Sequence, residues 1–284
     1  MGPTGIGKTK LSIYLSKKFK SDIISCDSQQ FYKELNICTS KVEKKFLKEI
    51  NHHFINICTI YKPYYNIYLF KKKVFYILKK YFLKKNIMIM VGGSMLYEKV
   101  ISNNLNLIKF IISKKKKKNI KYYLKYIKKK DIITYNKIDK NNLRRIINYY
   151  NILKYSKKKI SNIFKQNKNN IFKVIKIGLY NKKKYIYNNI NNIVNFMFKN
   201  NIIYEIKKFF LNKKKKYINA IGYKDLCNFF KKKCTLINVI KNIKFKIKKY
   251  AKRQIIWYKK DLLIYWFLNK NFKNIYKYIK NNLI

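Results

Sequence analysis

The chain has 284 residues, enough at roughly 150 residues per domain for one or two domains with a sizeable core. Lys and Arg total 69 against 11 Asp and Glu, a formal charge of +58, with 7 Gly, 2 Pro and 5 Cys. That composition excludes a collagen, a disulfide scaffold and a Pro/Gly-rich linker protein, and a 48% hydrophobic, 17% aromatic chain is built to fold.

Leu11, Leu15 and Phe19 fall four apart with Ile13 beside them, predicting a helix over 8–20. Residues 22–26 form a short β-rich run that ends at Asp27 and predicts a buried strand. The stretch 28–41 reads as a loop. Ile67, Phe70, Val74, Ile77/Leu78 and Tyr81/Phe82 keep helical period. Residues 86–91, stopped by Gly92-Gly93, predict a second buried strand. Helix and strand in alternation predict an α/β fold, a parallel sheet flanked by helices. From about 105 to 168, helical spacing and lysine clusters replace strand signals. Residues 172–177 predict a returning strand, and 184–284 reads as mostly helical. The expected organisation is the first part of an α/β core over 1–105, a helical insertion over 106–168, and a mostly helical continuation of the core over 169–284.

Cys26, Cys38, Cys58, Cys227 and Cys234 include no C-x-x-C pair. They fit reduced thiols of the cytoplasm better than a zinc site or a disulfide framework. No stretch approaches 18 uncharged apolar residues, so no membrane span is expected, and the opening residues do not read as a signal peptide. Lys, Asn, Ile, Tyr and Phe share AT-rich codons. The +58 charge therefore has two readings, mutational pressure on the gene or a polyanionic partner.

Gly2-Pro3-Thr4-Gly5-Ile6-Gly7-Lys8-Thr9 matches the phosphate-loop pattern G-x-x-x-x-G-K-[ST] and opens the first helix. Such a loop aims backbone N–H groups and a helix N-terminus at a phosphate, with Lys8 reaching its oxygens and the Thr9 hydroxyl holding Mg²⁺. The bland alternative is a chance turn before a helix. A phosphate loop hangs from a buried strand, so either the sheet lacks its central strand or, as expected here, the true start lies upstream of Met1. Asp27 stands at a strand end, where ligands bind in open α/β sheets. It reads as a base, a Mg²⁺ ligand, or a simple strand-end cap. Gly92-Gly93-Ser94, after the second strand, suits a hydroxyl and backbone donors facing the same phosphates, or only a turn.

Together these pieces resemble the bacterial tRNA dimethylallyltransferases, also called tRNA isopentenyltransferases. The matching residues are Gly2-Pro-Thr-x-x-Gly-Lys-Thr9, Asp27-Ser-x-Gln30-x-Tyr32, Ile37-x-Thr39, His53-x-Ile55-x-Ile57 and Val91-Gly-Gly-Ser-x-Leu-Tyr97. Arg144-Arg145, Ala220-Ile-Gly-Tyr-Lys-Asp225 and Tyr250-Ala-Lys-Arg-Gln254 with Trp257 follow in the family's order. The resemblance implies a core related to P-loop NTPases and kinases, with a helical insertion gripping the tRNA anticodon arm. It implies transfer of a dimethylallyl group from dimethylallyl diphosphate to N6 of an adenine beside the anticodon, with Mg²⁺ as cofactor. By the same resemblance Asp27 takes the amine proton and Ser94 bonds the bridging oxygen. Ser28, Gln29 and Gln30 meet the flipped base or its neighbours. Arg144, Arg145, Asn219, Gly222, Tyr223, Lys224 and Arg253 contact tRNA. A cytoplasmic monomer without membrane attachment is expected.

The chain departs from the family pattern in places. Two arginines expected before Met197 fall on Asn189 and Ile193. Asn148 and Asn151 replace an Arg and a Glu, and Ile247 and Ile256 replace threonines. Residues 240–260 read as an amphipathic helix with one stripe of Ile240, Ile243, Ile247, Ala251, Gln254 and Trp257. Lys241, Lys244, Lys248 and Lys252 form a second, either solvated or facing phosphate. His52-His53 reads as packing or hydrogen bonding, since no third ligand is spaced to join them. The lysine run 114–118 reads as an exposed face or an RNA contact. Two rivals remain: a P-loop kinase of a small molecule or nucleoside, and a non-catalytic RNA-binding relic.

Overall fold

Short apolar runs between amphipathic segments favour buried strands with helices packed over them. The computed structural model describes residues 1–61, 65–105, 107, 119–156, 159–160, 172–212 and 218–283; the lysine run 114–118 lies outside them. In chain order the elements are α1 (Lys8–Phe19), β1 (Ile23–Ser25), α2 (Lys44–Glu49), β2 (His52–His53), α3 (Ile67–Tyr81), β3 (Ile89–Val91) and α4 (Met95–Ser102). Then come α5 (Ile120–Lys130), α6 (Ile132–Lys137), α7 (Leu143–Ser156), β4 (Lys176–Tyr180), α8 (Lys183–Lys199), α9 (Ile202–Leu211), α10 (Tyr223–Phe230), α11 (Leu236–Tyr258), β5 (Ile264–Leu268) and α12 (Phe272–Asn281).

The fold is α/β with parallel pairing, but the described strands form two ladders where one sheet is expected. The first has the order β2-β1-β3, with Ile23 beside both His52 and Ile89. The second pairs β4 with β5 from Lys176↔Ile264 to Tyr180↔Leu268. On the edge of β4, the Met1 amino group donates to the Ile177 carbonyl and the Leu179 N–H donates to the Met1 carbonyl at 3.0 Å. The glycine-rich loop of residues 2–9 is thereby tied to a strand at its entry.

Two sequence expectations need correction. The returning strand runs over Lys176–Tyr180 rather than 172–177, and a further strand, β5, lies in the stretch read as helical. Gly178 looks like a strand breaker in isolation. Here it is a close-approach site, because a Cβ on it would stand 2.6 Å from the Trp266 ring of β5. Lys176, buried on β4, is neutralised by Asp261 at 2.6 Å, which ties the loop entering β5 to β4.

The chain divides into two compact units. The first holds Met1–Asn66, Lys73–Glu98 and Val174–Ile284, and the second Ile67–Lys72 and Lys99–Lys173, so the second is longer than the 106–168 expected. Its extra residues belong there because the Lys71 ammonium, at the start of α3, donates to the Leu105 carbonyl at 2.7 Å. The core of the first unit joins Leu11 and Leu15 of α1 with Leu179, Ile186, Ile190, Val194, Ile243 and Ala251. Its α11 buries Val239, Ile243, Ile247, Ala251, Gln254 and Tyr258; Ile240 and Trp257 of the expected stripe sit at its margin. In the second unit Ile127, Ile138, Ile146 and Leu153 pack together, and Tyr150 takes Tyr123 and Tyr126 edge-on at 4.9 Å each. Asp131 separates α5 from α6 by accepting the N–H and hydroxyl of Thr134 at 3.1 and 2.7 Å, an N-cap that the chain cannot pass in one helix.

Candidate active site

A cavity of about 700 Å³ opens in the first unit over the phosphate loop. Its wall includes residues 4–10, Asp27, Gln30, Val91-Gly92-Gly93, Asn189 and Ile193. Ile6 plugs the loop into the core, fully buried, while Gly7 caps α1 in the left-handed conformation with φ 104°. The N-terminal amides of α1 are thus presented at the cavity. Two amides hold the loop from outside. Asn189 Nδ2 donates to the Gly5 carbonyl at 2.8 Å and Asn269 Nδ2 to the Ile6 carbonyl at 3.0 Å. Asn189, which stands where an arginine is expected, therefore holds the loop by a neutral hydrogen bond.

Lys8 curls back over this loop, its ammonium donating to the Gly2 and Pro3 carbonyls at 2.9 and 2.8 Å. Burial lowers its pKa to about 8, with Asp27 pulling the other way. Asp27 follows β1. Burial pushes its carboxyl above the ordinary range, while the Gln29 N–H, 3.0 Å from Oδ1, and Lys8 draw it back. A cation and a carboxylate therefore face one cavity, each held toward its neutral form by burial and toward its charged form by the other.

The Gly92-Gly93 turn closes directly on the end of β1. A Cβ on Gly92 would stand 2.5 Å from the carbonyl carbon of Cys26, so no side chain fits there. Ser94 is drawn away from the cavity. Its hydroxyl accepts the Ser28 N–H at 2.9 Å and lies 3.0 Å from the Ser28 hydroxyl, and it is not among the cavity-lining residues. Ser94 thereby ties the Gly-Gly turn to the Asp27-Ser28 loop. Gln30 does line the cavity, accepting from Ser25 Oγ at 3.3 Å and donating to the Thr39 carbonyl at 3.4 Å. Gln29 Oε1 is buried with no partner among the described residues.

Sequence reasoning placed Gln254 in an apolar stripe and missed its role. Its side chain is fully buried. Oε1 accepts the Thr4 N–H at 2.8 Å and the Thr4 hydroxyl at 3.1 Å, while Nε2 donates to the Gly93 carbonyl at 2.9 Å. One amide thus joins the phosphate loop to the Gly-Gly turn. Tyr250, one turn earlier, donates to the same carbonyl at 2.6 Å, its own pKa pushed up to about 12 by burial first and then by Asp27. Arg253 is exposed and lies over the Tyr250 ring at 5.5 Å.

Glu205 of α9 was also missed; it accepts the N–H groups of Asn36, Ile37 and Cys38 at 2.9 Å each, fixing the loop after Asp27. A polar residue on a buried helix face was the available signal for both Gln254 and Glu205. The other expected residues stand apart from the cavity wall. Gly222 caps α10 with φ 99°, Tyr223 is half-buried, and Asn219 and Lys224 are exposed. Asp225 of that motif is structural, paired with Lys246 of α11 at 2.6 Å. Arg144 and Arg145 are exposed on the first turn of α7, in the second unit. His52 donates to the Ile50 carbonyl at 2.8 Å, and His53 bonds Asp22 at 3.0 Å, as hydrogen-bonding residues.

Comparison with known proteins gives the family. The family model described as IPP transferase matches residues 30–261. The chain belongs to that family. It is 36% identical to a tRNA dimethylallyltransferase of Christiangramia forsetii over 294 aligned positions, covering 100% of this chain and 97% of the relative. It is 34% identical to tRNA dimethylallyltransferase 2 of Azobacteroides pseudotrichonymphae, covering 95% and 91%. Among solved structures, the full-length tRNA isopentenylpyrophosphate transferase of Bacillus halodurans superposes with a TM-score of 0.75 at 25% identity, covering 99% of this chain and 94% of that one. A eukaryotic dimethylallyltransferase acting on tRNA gives a TM-score of 0.77 at 25% identity, covering 94% and 72%.

Proposed function

We propose that the chain transfers a dimethylallyl group from dimethylallyl diphosphate to N6 of an adenine adjacent to the anticodon of tRNA, releasing pyrophosphate. Membership of the IPP transferase family supports the reaction class. The observation that carries the assignment of roles is that Lys8 and Asp27 line one cavity, with Gln254 bridging Thr4 of the loop to the Gly93 carbonyl.

In this reading the diphosphate lies in the loop of residues 2–9. The N-terminal amides of α1 and the Lys8 ammonium, released from the Gly2 and Pro3 carbonyls, stabilise the charge that grows on the leaving oxygen. The C1–O bond of the substrate breaks as the N6–C1 bond forms, and the N6 proton passes to Asp27. An exocyclic adenine amine is a weak nucleophile, so a carboxylate made more basic by burial is suited to it. The adenine leaves its stack to enter, which in a single-stranded loop costs at most a few kcal/mol. Ser28, Gln29 and Gln30 of the Asp27 loop are assigned to the base or its neighbours, and of these Gln30 lines the cavity.

No group of three or more His, Cys, Asp or Glu side chains among the described residues is arranged to hold a metal ion. The donor set at the cavity, Thr9 with Asp27 nearby, fits a Mg²⁺ ion held mainly by the diphosphate and water. Thr9 would supply the protein ligand, and the ion would neutralise diphosphate charge. Arg144, Arg145, Asn219, Gly222, Tyr223, Lys224 and Arg253 are assigned to tRNA. The described helices include none long and apolar enough to cross a membrane. The reading has a single chain acting on tRNA in the cytoplasm.

Incubation with labelled dimethylallyl diphosphate and unmodified tRNA tests the reading. Label in tRNA supports it. Phosphate transfer from labelled ATP with no prenyl transfer would replace it with a kinase, and tRNA binding without either reaction would leave a relic.

A further inference from the structure

Charge is unevenly placed around the cavity. Among its lining residues the cations are Lys8, Lys10 and Lys270, and no arginine is present. Lys8 is already bonded to two loop carbonyls. Asn189 and Ile193 on α8, which face the same space, carry no charge. Lys10 and Lys270 are exposed, and neither ammonium has a protein partner among the described residues.

Lys270 is delivered there by a built turn rather than by chance. Its neighbour Asn269 is buried and hydrogen-bonded through its backbone and both polar atoms of its side chain. The backbone N–H donates to Tyr180 at the end of β4 at 3.2 Å, Nδ2 donates to the Ile6 carbonyl at 3.0 Å, and Oδ1 accepts from Asn181 at 2.7 Å. The parallel β4–β5 ladder ends at Tyr180 and Leu268, so the turn after β5 emerges at the rim of the phosphate loop. The Tyr185 phenol at this rim is drawn below its ordinary pKa. Hydrogen bonds from Asn189 and Asn269 are the main cause, followed by the positive field of Lys270 and Lys10.

We propose that Lys270 is a diphosphate-binding residue of this chain, its ammonium pairing with the phosphate group farther from the reacting carbon and supplying the charge that α8 does not. The proposal rests on the reading of the cavity as a diphosphate site. An ammonium on a flexible stem, placed by the Asn269 turn, serves as a point charge and not as a bidentate fork.

Calorimetric titration of inorganic pyrophosphate with Mg²⁺ into the full chain tests it, comparing wild type, K270A, K270E, K270R and K273E. Lys273 is also exposed, on α12, and does not line the cavity, so K273E makes the same change in net charge outside it. K270E is expected to weaken pyrophosphate about tenfold and K270A about threefold, with K270R and K273E within about twofold of wild type. Equal weakening in K270E and K273E, or none in K270E and K270A, would overturn the role of Lys270 and leave the cradle intact. A wild-type chain that binds no pyrophosphate would overturn both the cradle and this proposal.

Discussion

Gln254 and Thr4, 250 positions apart in the chain, are joined twice: the Gln254 carbonyl oxygen accepts the Thr4 N–H at 2.8 Å and its hydroxyl at 3.1 Å. With Nε2 donating to the Gly93 carbonyl, this amide links the proposed diphosphate cradle to the turn beside Asp27. Removing it takes away the acceptor of the Thr4 N–H and leaves the Gly93 carbonyl with Tyr250 alone. Q254A is therefore expected to lower folding stability by about 2–3 kcal/mol by chemical denaturation. It is also expected to raise the KM for dimethylallyl diphosphate and lower kcat together. Unchanged kinetics in a folded Q254A would show that the bridge sets no distance.

D27A and D27N remove the proposed base while sparing the cradle. Transfer is expected to fall by about 100-fold or more, with tRNA affinity within about twofold of wild type. Single-turnover transfer and filter binding on the same preparations separate the two effects. Near wild-type turnover in either variant removes Asp27 from the proton transfer.

The pH dependence follows from the two groups that face the cavity. Asp27 acts only when deprotonated, and its pKa is raised, so activity climbs as pH rises through a value above the ordinary carboxylate range. Lys8 acts only when protonated, and its pKa in the free protein is about 8, so diphosphate capture weakens as pH passes 8. A bell-shaped profile of kcat/KM for dimethylallyl diphosphate is expected. Bound diphosphate favours the Lys8 cation, so the alkaline limb of kcat should lie higher. A kcat/KM that stays flat from pH 7 to about 10, near the unperturbed lysine value, would contradict the assignment of Lys8.

Glu205 carries the loop after Asp27 on three backbone N–H groups. E205A removes the shared acceptor of three backbone donors, of which that of Cys38 is buried, and is expected to cost about 2 kcal/mol. E205Q keeps one oxygen acceptor and should cost less. Denaturant midpoints measure both, and equal stability of E205A and wild type would mean that the loop finds other partners.

Arg253 is exposed and stacked on Tyr250, so R253A is expected to leave stability within about 0.5 kcal/mol. If it meets phosphate, its loss weakens tRNA binding uniformly and lowers the salt slope of binding by about one. A tRNA affinity and slope equal to wild type would place Arg253 outside the interface.

Local features of the site were legible in the sequence. The G-x-x-x-x-G-K-T spacing is a short-range instruction, and Asp27 ends a run whose burial its own residues announce. Features built across the chain were not. The Gln254 carbonyl meets Thr4, and Asn269 meets Ile6, only after folding, and no local period encodes either meeting. β5 was hidden for a different reason. Ile264-Tyr-Trp-Phe-Leu268 is a sound strand sequence, but in a chain rich throughout in Ile, Tyr and Phe it barely stands out. Ser94 was read by its position in a motif, and no local pattern announces its contacts with Ser28.

The central claim is that one cavity holds a diphosphate against an adenine amine activated by Asp27. Nucleoside mass spectrometry on unmodified tRNA, after reaction with dimethylallyl diphosphate and Mg²⁺ and with wild type and D27N in parallel, tests it most directly. The account predicts N6-dimethylallyladenosine next to the anticodon with wild type and almost none with D27N. Wild-type product at another atom or position, no product, or equal product from D27N would contradict it.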